Sequence, residues 1–398
     1  MKTILGLILT LLIFHQTANA EPNITSVSEA MSQGNQVTIV GTGFGSHADN
    51  NTSRSYLNTA WENFETGVAD SIFYTTTGPE LVTNTALQKA NSNYAARGYR
   101  WATPHTYTNV FGVQKTSQLM YGFHFDYDGN FQKKIFISGW YMFPEGFDTG
   151  ITYDQVNIDQ TKFLSLSPLG TLPGGGDGGK TYFNTRRGAV TIPIISNTED
   201  GDLAEGTTDP LFNYSPMGTW HRFDMYVNLT KPEGQKIHDW YIDGKKLPRV
   251  HEFYKSDAAL VSAGILQGFD YLSWLMYQFE GDDAYTWFQY MDDAFADLTQ
   301  ARVEISESAT WDETTQIHKE IQIPLSWSDT EIVVSANLGS FDPGATLYLY
   351  VIDDDGAVSP GVAINVPGEP PDPPVTGAAS LSGPQGAGLG GAGSVTIQ

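Results

Sequence analysis

The sequence contains no cysteine. Disulfide scaffolds and thiolate metal centres are therefore excluded, and stability has to come from apolar cores. Basic residues are also scarce, with 21 Lys and Arg against 45 Asp and Glu and a formal net charge of -24. A surface of that sign repels phosphate backbones, so nucleic acid is not an expected partner. After the first twenty residues no apolar run approaches the roughly 20 residues that cross a bilayer, and no membrane span is expected. Long amphipathic helical periods are missing as well; only 256–279 has room for a helical turn.

What is present begins with "MKTILGLILTLLIFHQTANA". Lys2, the apolar run from Ile4 to Phe14 and the small residues Ala18 and Ala20 make residues 1–20 a secretory signal peptide. The mature chain is expected to be secreted or displayed on the cell surface. At 398 residues and 40% hydrophobic content it is long enough for two cores. Gly, Pro, Asn, Asp and Ser interrupt it roughly every 8 to 12 residues, and between them lie alternating segments such as "KIFISGWYMF" and "HRFDMYVNL". That pattern predicts an all-β chain of sandwich or jelly-roll type. From residue 367 the composition turns to Pro, Gly, Ala and Ser, and 367–398 reads as a disordered spacer.

"ITSV" and "VTIVGTGFGS" open a sandwich that two strands cannot complete. Its missing partners lie far downstream in "RVEIS", "SWSDTEIVV" and "YVIDDDGAVSPG". These motifs, in this order, resemble an IPT/TIG domain, an Ig-like module of extracellular proteins. The resemblance implies a sandwich built from 21–50 and 298–366, with a whole domain inserted at the exposed turn after Gly45. Such an insertion costs little when its ends lie close together.

The insert, 56–297, opens with "YLNTAWENFETG" and closes with "WFQYMDDAFAD", two strands that can pair. With "WHRF" and the "DWYIDGKKL" hairpin between them, it resembles the concanavalin A-like antiparallel jelly roll of polysaccharide lyases, laminarinase-type hydrolases and lectins. The fold class expected is thus all-β, an Ig-like sandwich interrupted by a jelly roll. The resemblance implies a polysaccharide held on a sheet face by aromatic platforms and planar polar groups. Candidates are Arg100, Trp101, His105 and Tyr107 in "GYRWATPHTY", with Tyr99 beside them, then Lys162, then Asn184, Arg186 and Arg187 in "YFNTRRG", and His221 with Arg222.

The chain lacks the E-x-D-x-E strand of a retaining laminarinase, whose carboxylates must stand about 5 Å apart, so that chemistry is rejected. A lyase needs a Tyr or His base and a group that neutralises a uronate carboxylate; Tyr107, His105, Arg186 and His221 are of the right types. Glu65, Asp292 and Asp293, with Glu62 and Asn63, are the oxygen-bearing residues for a structural Ca²⁺ that the jelly-roll resemblance implies. The leading expectation is a polysaccharide-binding or adhesion protein. The alternatives are a lyase acting on a uronate-containing glycan and a structural surface module with no ligand.

Overall fold

The computed structural model describes residues 21–47, 59–67, 80–100, 105–108, 114–117, 123–126, 130–143, 160–167, 181–186, 192–198, 213–214, 218–247, 256–262, 264–275 and 287–368. The chain is all-β, its sheets antiparallel; the described residues add a short α-helix at Asp257–Ser262, where the sequence leaves room for a turn, and a 3-10 turn at Thr85–Leu87. Residues 1–20, expected to be a signal peptide, and Trp101, Arg187 and 369–398 lie outside the described residues.

Strands Asn23–Val27 and Gln36–Thr42 pair with each other and then with Glu331–Ser335, Thr38 opposite Val333 and Ile39 opposite Ile332. The ladder continues through Lys319–Trp327, Arg302–Ser306, Thr346–Ile352 and Val362–Asn365. Lys319–Trp327 serves both layers of the sandwich. Its first half pairs with Arg302–Ser306 and its second with Glu331–Ser335, and the register shifts between Pro324 and Ser326. A proline has no N–H to give a ladder, so a bulge is where a strand tolerates one. Between the layers, Ile24, Val37, Ile39, Phe44, Val303, Ile305, Ile332, Val334, Leu349 and Val351 form an apolar core.

The glycines of "GTGFG" have a local reason. A Cβ on Gly41 would lie 2.1 Å from the Asn23 carbonyl oxygen and 2.4 Å from the Phe44 ring, so only glycine fits beside the buried phenylalanine. The turn is then tied to the distant hairpin: the Phe44 amide donates to the Asp329 carbonyl at 3.1 Å, and the Gly45 amide to Asp329 Oδ1 at 3.0 Å.

The chain leaves this sandwich after Thr42 and re-enters it at Arg302. At the seam, His47 Nε2 stands 2.9 Å from Asp297 Oδ2, and Asp297 lies opposite Thr59 in the ladder. Exit and return are thus side by side, which keeps the loop-closure cost of the long excursion small. Among the described residues the intervening segment builds two large sheets and a two-stranded ribbon of His105–Thr108 and Gln114–Ser117. One runs Lys245–Lys246, Ile237–Ile242, Trp220–Asn228, Lys134–Met142, Trp287–Asp297, Ala95–Arg100, Glu80–Val82, with Thr59–Glu62 also on Trp287–Asp297. The other runs Asn213–Tyr214, Ile192–Thr198, Thr181–Arg186, Gln160–Ser167, Tyr271–Leu275, Phe123–Asp126. Their facing sides share one core that includes Ile135, Ile137, Tyr141, Phe163, Leu166, Phe183, Phe223, Met225, Leu272, Trp274 and Met291. The rings meet largely edge to face, as Phe163 does with Phe223 at 5.1 Å and Phe183 with Trp240 at 4.5 Å, the geometry that ring quadrupoles favour.

Candidate functional site

Each of the two central sheets has an outer face, and the first is closed. In Lys134–Met142 and Trp220–Asn228, the residues that alternate with the core are Phe136, Ser138, Trp140, Arg222, Asp224 and Tyr226, all buried. They pack against Lys319–Trp327 and Arg302–Ser306 of the Ig-like sandwich. Phe136, Tyr226, Phe295 and Ile321 form an apolar patch across that boundary, flanked by two ionic clusters.

In the first cluster the Arg222 guanidinium donates to Asp224 Oδ2 at 2.8 Å and to the Lys319 carbonyl at 2.9 Å, and pairs with Glu304 Oε2 at 3.0 Å. Arg302 grips the other oxygen of Glu304. Burial opposes ionisation of Glu304, but Arg222, Arg302 and Lys319 outweigh it and hold the carboxyl down at about 2. Arg222, expected among the glycan-facing residues, is therefore a buried lock between the two sandwiches. The correction has a simple cause: His221 and Arg222 alternate, and sequence does not say which side of the sheet is covered.

In the second cluster the Lys89 ammonium bridges Asp293 and Glu320 and lies 4.6 Å from the centre of the Trp140 ring. Trp140 Nε1 donates to Glu320 at 3.0 Å, and His318 Nε2 and the Ser340 amide sit at 3.0 Å from its other oxygen. Burial again opposes ionisation, yet Lys89 and His318 keep Glu320 down at about 2. Asp292 accepts from Ser92 Oγ at 2.6 Å; burial, and then the charge of Asp293, push it well above the usual carboxylate range. Glu65 accepts the Asn93 amide at 2.9 Å and its side-chain amide at 2.6 Å. This arrangement does not fit a calcium site. The lysine ammonium stands on the carboxylate a divalent cation would need, and among the described residues no group of three or more His, Cys, Asp or Glu converges as ligands.

On the outer side of the second sheet, too, Ser165, Ser167 and Ser273 are buried. Phe163, Leu166, Phe183, Leu272 and Trp274 face the core, so the residues alternating with them occupy the far side. Between Phe163 and Ser165 the strand bulges, and Leu164 takes a left-handed φ of 41°. The extra residue keeps both Phe163 and Leu164 in the core and sets Ser165 on the outer face. Register then draws a polar row across four strand boundaries. His124 lies opposite Ser273, Ser273 opposite Ser165, Ser165 opposite Tyr182, and Tyr182 opposite Asn197. The next positions place Lys162 opposite Asn184 and Gln160 opposite Arg186.

Of the residues expected to bind a glycan, the fold thus brings Lys162, Asn184 and Arg186 to adjoining register positions. It does not bring the others to them. Arg100 stands opposite Trp287 in the first sheet, and His105 and Tyr107 sit in a separate two-stranded ribbon opposite Ser117 and Lys115. His221 lies opposite Tyr141, its Nδ1 2.8 Å from Asp243 and its Nε2 2.9 Å from Thr219 Oγ1. Sequence reading passed over His124, Ser165, Ser273 and Asn197. The signal was the repeated apolar–Ser–apolar pattern of "FLSLS" and "YLSWL", which marks polar positions on one strand face but does not say that the serines meet.

No family model matches the sequence, and no curated protein matches it. Among solved structures the chain is similar to the alginate lyase Aly36B, at 14% identity and a TM-score of 0.35 over 60% of this chain and 96% of that one. It is also similar to the alginate lyase vAL-1 from Chlorella virus, at 10% identity and 0.31 over 55% and 89%. A third likeness is to the binding domain of botulinum neurotoxin serotype D/C, at 9% identity and 0.26 over 66% and 68%. At TM-scores of this size none of these likenesses carries an argument about chemistry.

Proposed function

We propose that this is a secreted or cell-surface polysaccharide-binding protein that takes its ligand across the outer face of the six-stranded sheet, and that the split sandwich beside it is an IPT/TIG-type module. One observation carries the reading: the register sets Lys162, Asn184 and Arg186 next to the row His124, Ser273, Ser165, Tyr182 and Asn197. Amide, guanidinium and hydroxyl groups recognise sugar hydroxyls and carboxylates by paired hydrogen bonds, and tyrosine offers an apolar ring edge beside them. The cations also fit an acidic glycan, against the sign of the whole surface.

A second reading, a lyase acting on a uronate glycan, is favoured by the same row. It carries a His and a Tyr, the residue types of a proton-abstracting base, and the same sheet carries an Arg and an Asn of the type that neutralises a carboxylate. Affinity electrophoresis of the mature protein in gels containing alginate, pectate, chondroitin sulfate or laminarin tests binding. Retardation by at least one glycan, relieved by Arg186→Ala, supports the site; no retardation by any of them leaves only a structural module. Growth of ultraviolet absorbance from unsaturated chain ends would move the assignment from binder to lyase.

A further inference from the structure

The geometry points to a second site, in which the Thr219 hydroxyl, activated by His221 and Asp243, hydrolyses small acyl esters; it lies on the eight-stranded sheet and does not rest on the reading of the other sheet as a glycan face. The turn Asp243–Gly244 joins Ile237–Ile242 to Lys245–Lys246, and both of its residues have left-handed φ, 49° and 73°. Asp-Gly is a favoured pair for such a two-residue hairpin. Backbone bonds hold the turn in place. The Asp243 amide donates to the Arg222 carbonyl at 2.8 Å, and the Ile317 amide donates to the Asp243 carbonyl at 2.9 Å. In the carboxylate, Oδ1 accepts the Arg222 amide at 2.9 Å, while Oδ2 accepts from Gln316 Nε2 at 3.1 Å and faces His221 Nδ1 at 2.8 Å. On the far side of the ring, His221 Nε2 meets Thr219 Oγ1 at 2.9 Å.

A carboxylate only accepts hydrogen bonds, so in the neutral ring Nδ1 carries the proton and Nε2 is the acceptor for the Thr219 hydroxyl hydrogen. Orienting acid, base and hydroxyl thus stand in the order that activates an oxygen for attack on a carbonyl. The turn itself uses only Oδ1; Oδ2 is aimed at the imidazole. Unlike the ion pairs buried on the same sheet, this array is open. Thr219 is exposed and the His221 side chain is 20% exposed, so an ester can reach the hydroxyl. In the first step Thr219 Oγ1 attacks the ester carbonyl carbon while its proton passes to His221 Nε2. The bond from that carbon to the alcohol oxygen breaks, and the alcohol leaves with the proton. Water then attacks the Thr219 ester with His221 again as base, and the acid departs as the hydroxyl is restored. Ester and water become acid and alcohol, with no change of oxidation state.

The test is release of p-nitrophenol from p-nitrophenyl acetate by the intact mature protein, with peptide mass spectrometry of acid-quenched samples to locate any bound acetyl group. The parent is expected to exceed the buffer rate and to carry acetyl on Thr219. Thr219→Val, which keeps the shape of the side chain at an exposed position, should lose both signals, and Thr219→Ser should retain both. His221→Ala should lower the rate by about 10²–10⁴-fold, the worth of a general base. Asp243 is a positioning residue. Asp243→Asn keeps an oxygen for the Arg222 amide and tolerates the left-handed turn, but it turns a donor towards Nδ1 and so reverses the tautomer; it should lower the rate while leaving the thermal midpoint near the parent's. Equal release by the parent and Thr219→Val overturns the inference, as does acetyl found only on residues other than Thr219. A rate lost in His221→Ala but kept in Thr219→Val also overturns it, because the imidazole would then act without the hydroxyl.

Discussion

The two outer faces of the central sheets make an instructive pair. Both carry polar side chains at the positions that alternate with the same apolar core, and the described ones at the centre of each face are buried. On the eight-stranded sheet, Arg222, Asp224, Trp140 and Asp293 are satisfied by residues of the other sandwich, chiefly Glu304, Lys319 and Glu320 or by one another and Lys89. On the six-stranded sheet, Ser165 is buried and unpartnered. A buried polar face whose groups are satisfied across a boundary becomes a lock between the two sandwiches. The lesson is that polarity alone does not mark a binding face.

The largest expected effect comes from breaking the lock. Lys89→Ala leaves Asp293 and Glu320 buried without their cation and is expected to destabilise the protein by about 3–5 kcal/mol in denaturant unfolding. Lys89→Met, which restores volume but not charge, is expected to be as damaging in sign, because the carboxylates remain uncompensated. If either variant unfolds at the parent's denaturant midpoint, the interface does not hold the two sandwiches together. Arg186→Ala should do the reverse, leaving stability within about 0.5 kcal/mol while weakening glycan binding by about 1.5–3 kcal/mol, the worth of a hydrogen bond to a charged group.

A smaller effect is expected from pH. Glu304 and Glu320 are held at about 2 in the fold, well below their usual value. The unfolded chain therefore binds protons first, so their contribution is complete above the usual carboxylate range and is lost as pH falls from about 4.5 towards 2. Asp292 is shifted the other way: burial penalises its charged form, and that penalty is relieved as pH falls to the usual carboxylate range, before most of the loss from Glu304 and Glu320 sets in. Glu304→Gln should lower the thermal midpoint at neutral pH and flatten its decline on acidification; a decline as steep as the parent's would remove Glu304 from the account. The smallest effect belongs to the rim. Lys134 and Asp354 pair across the same boundary, but their side chains are 25% and 34% exposed, and Lys134→Ala should cost less than about 1 kcal/mol in the same unfolding measurement.

Some of this was legible in one dimension. The "GTGFG" turn is a local steric fact, since Gly41 touches residues close to it in sequence or in the adjacent strand, and its resemblance to an Ig-like opening followed from the letters. Alternation likewise marked "KIFISGWYMF" and "HRFDMYVNL" as strands, and they pair along their whole length from Lys134 opposite Asn228 to Met142 opposite Trp220. The Asp292-Asp293 pair was visible as a cluster of carboxylates but read as cation ligands. Its actual cation, Lys89, lies about two hundred positions away in a segment with no distinguishing pattern. The glycan candidates show the same limit. Lys162, Asn184 and Arg186 meet because neighbouring strands carry them, whereas His105 and Tyr107, equally suitable in type, sit on a ribbon elsewhere.

By itself the sequence determined the class of the chain, because strand periodicity, turn residues and the absence of cysteine act over a few residues at a time and need no knowledge of partners. Which polar groups are spent on holding two sandwiches together was decided only by the tertiary structure. The physical reason is that a hydrogen bond or ion pair belongs to two residues, and in a sheet protein the second is chosen by register, a long-range property that a single backbone bulge such as that at Leu164 can reset.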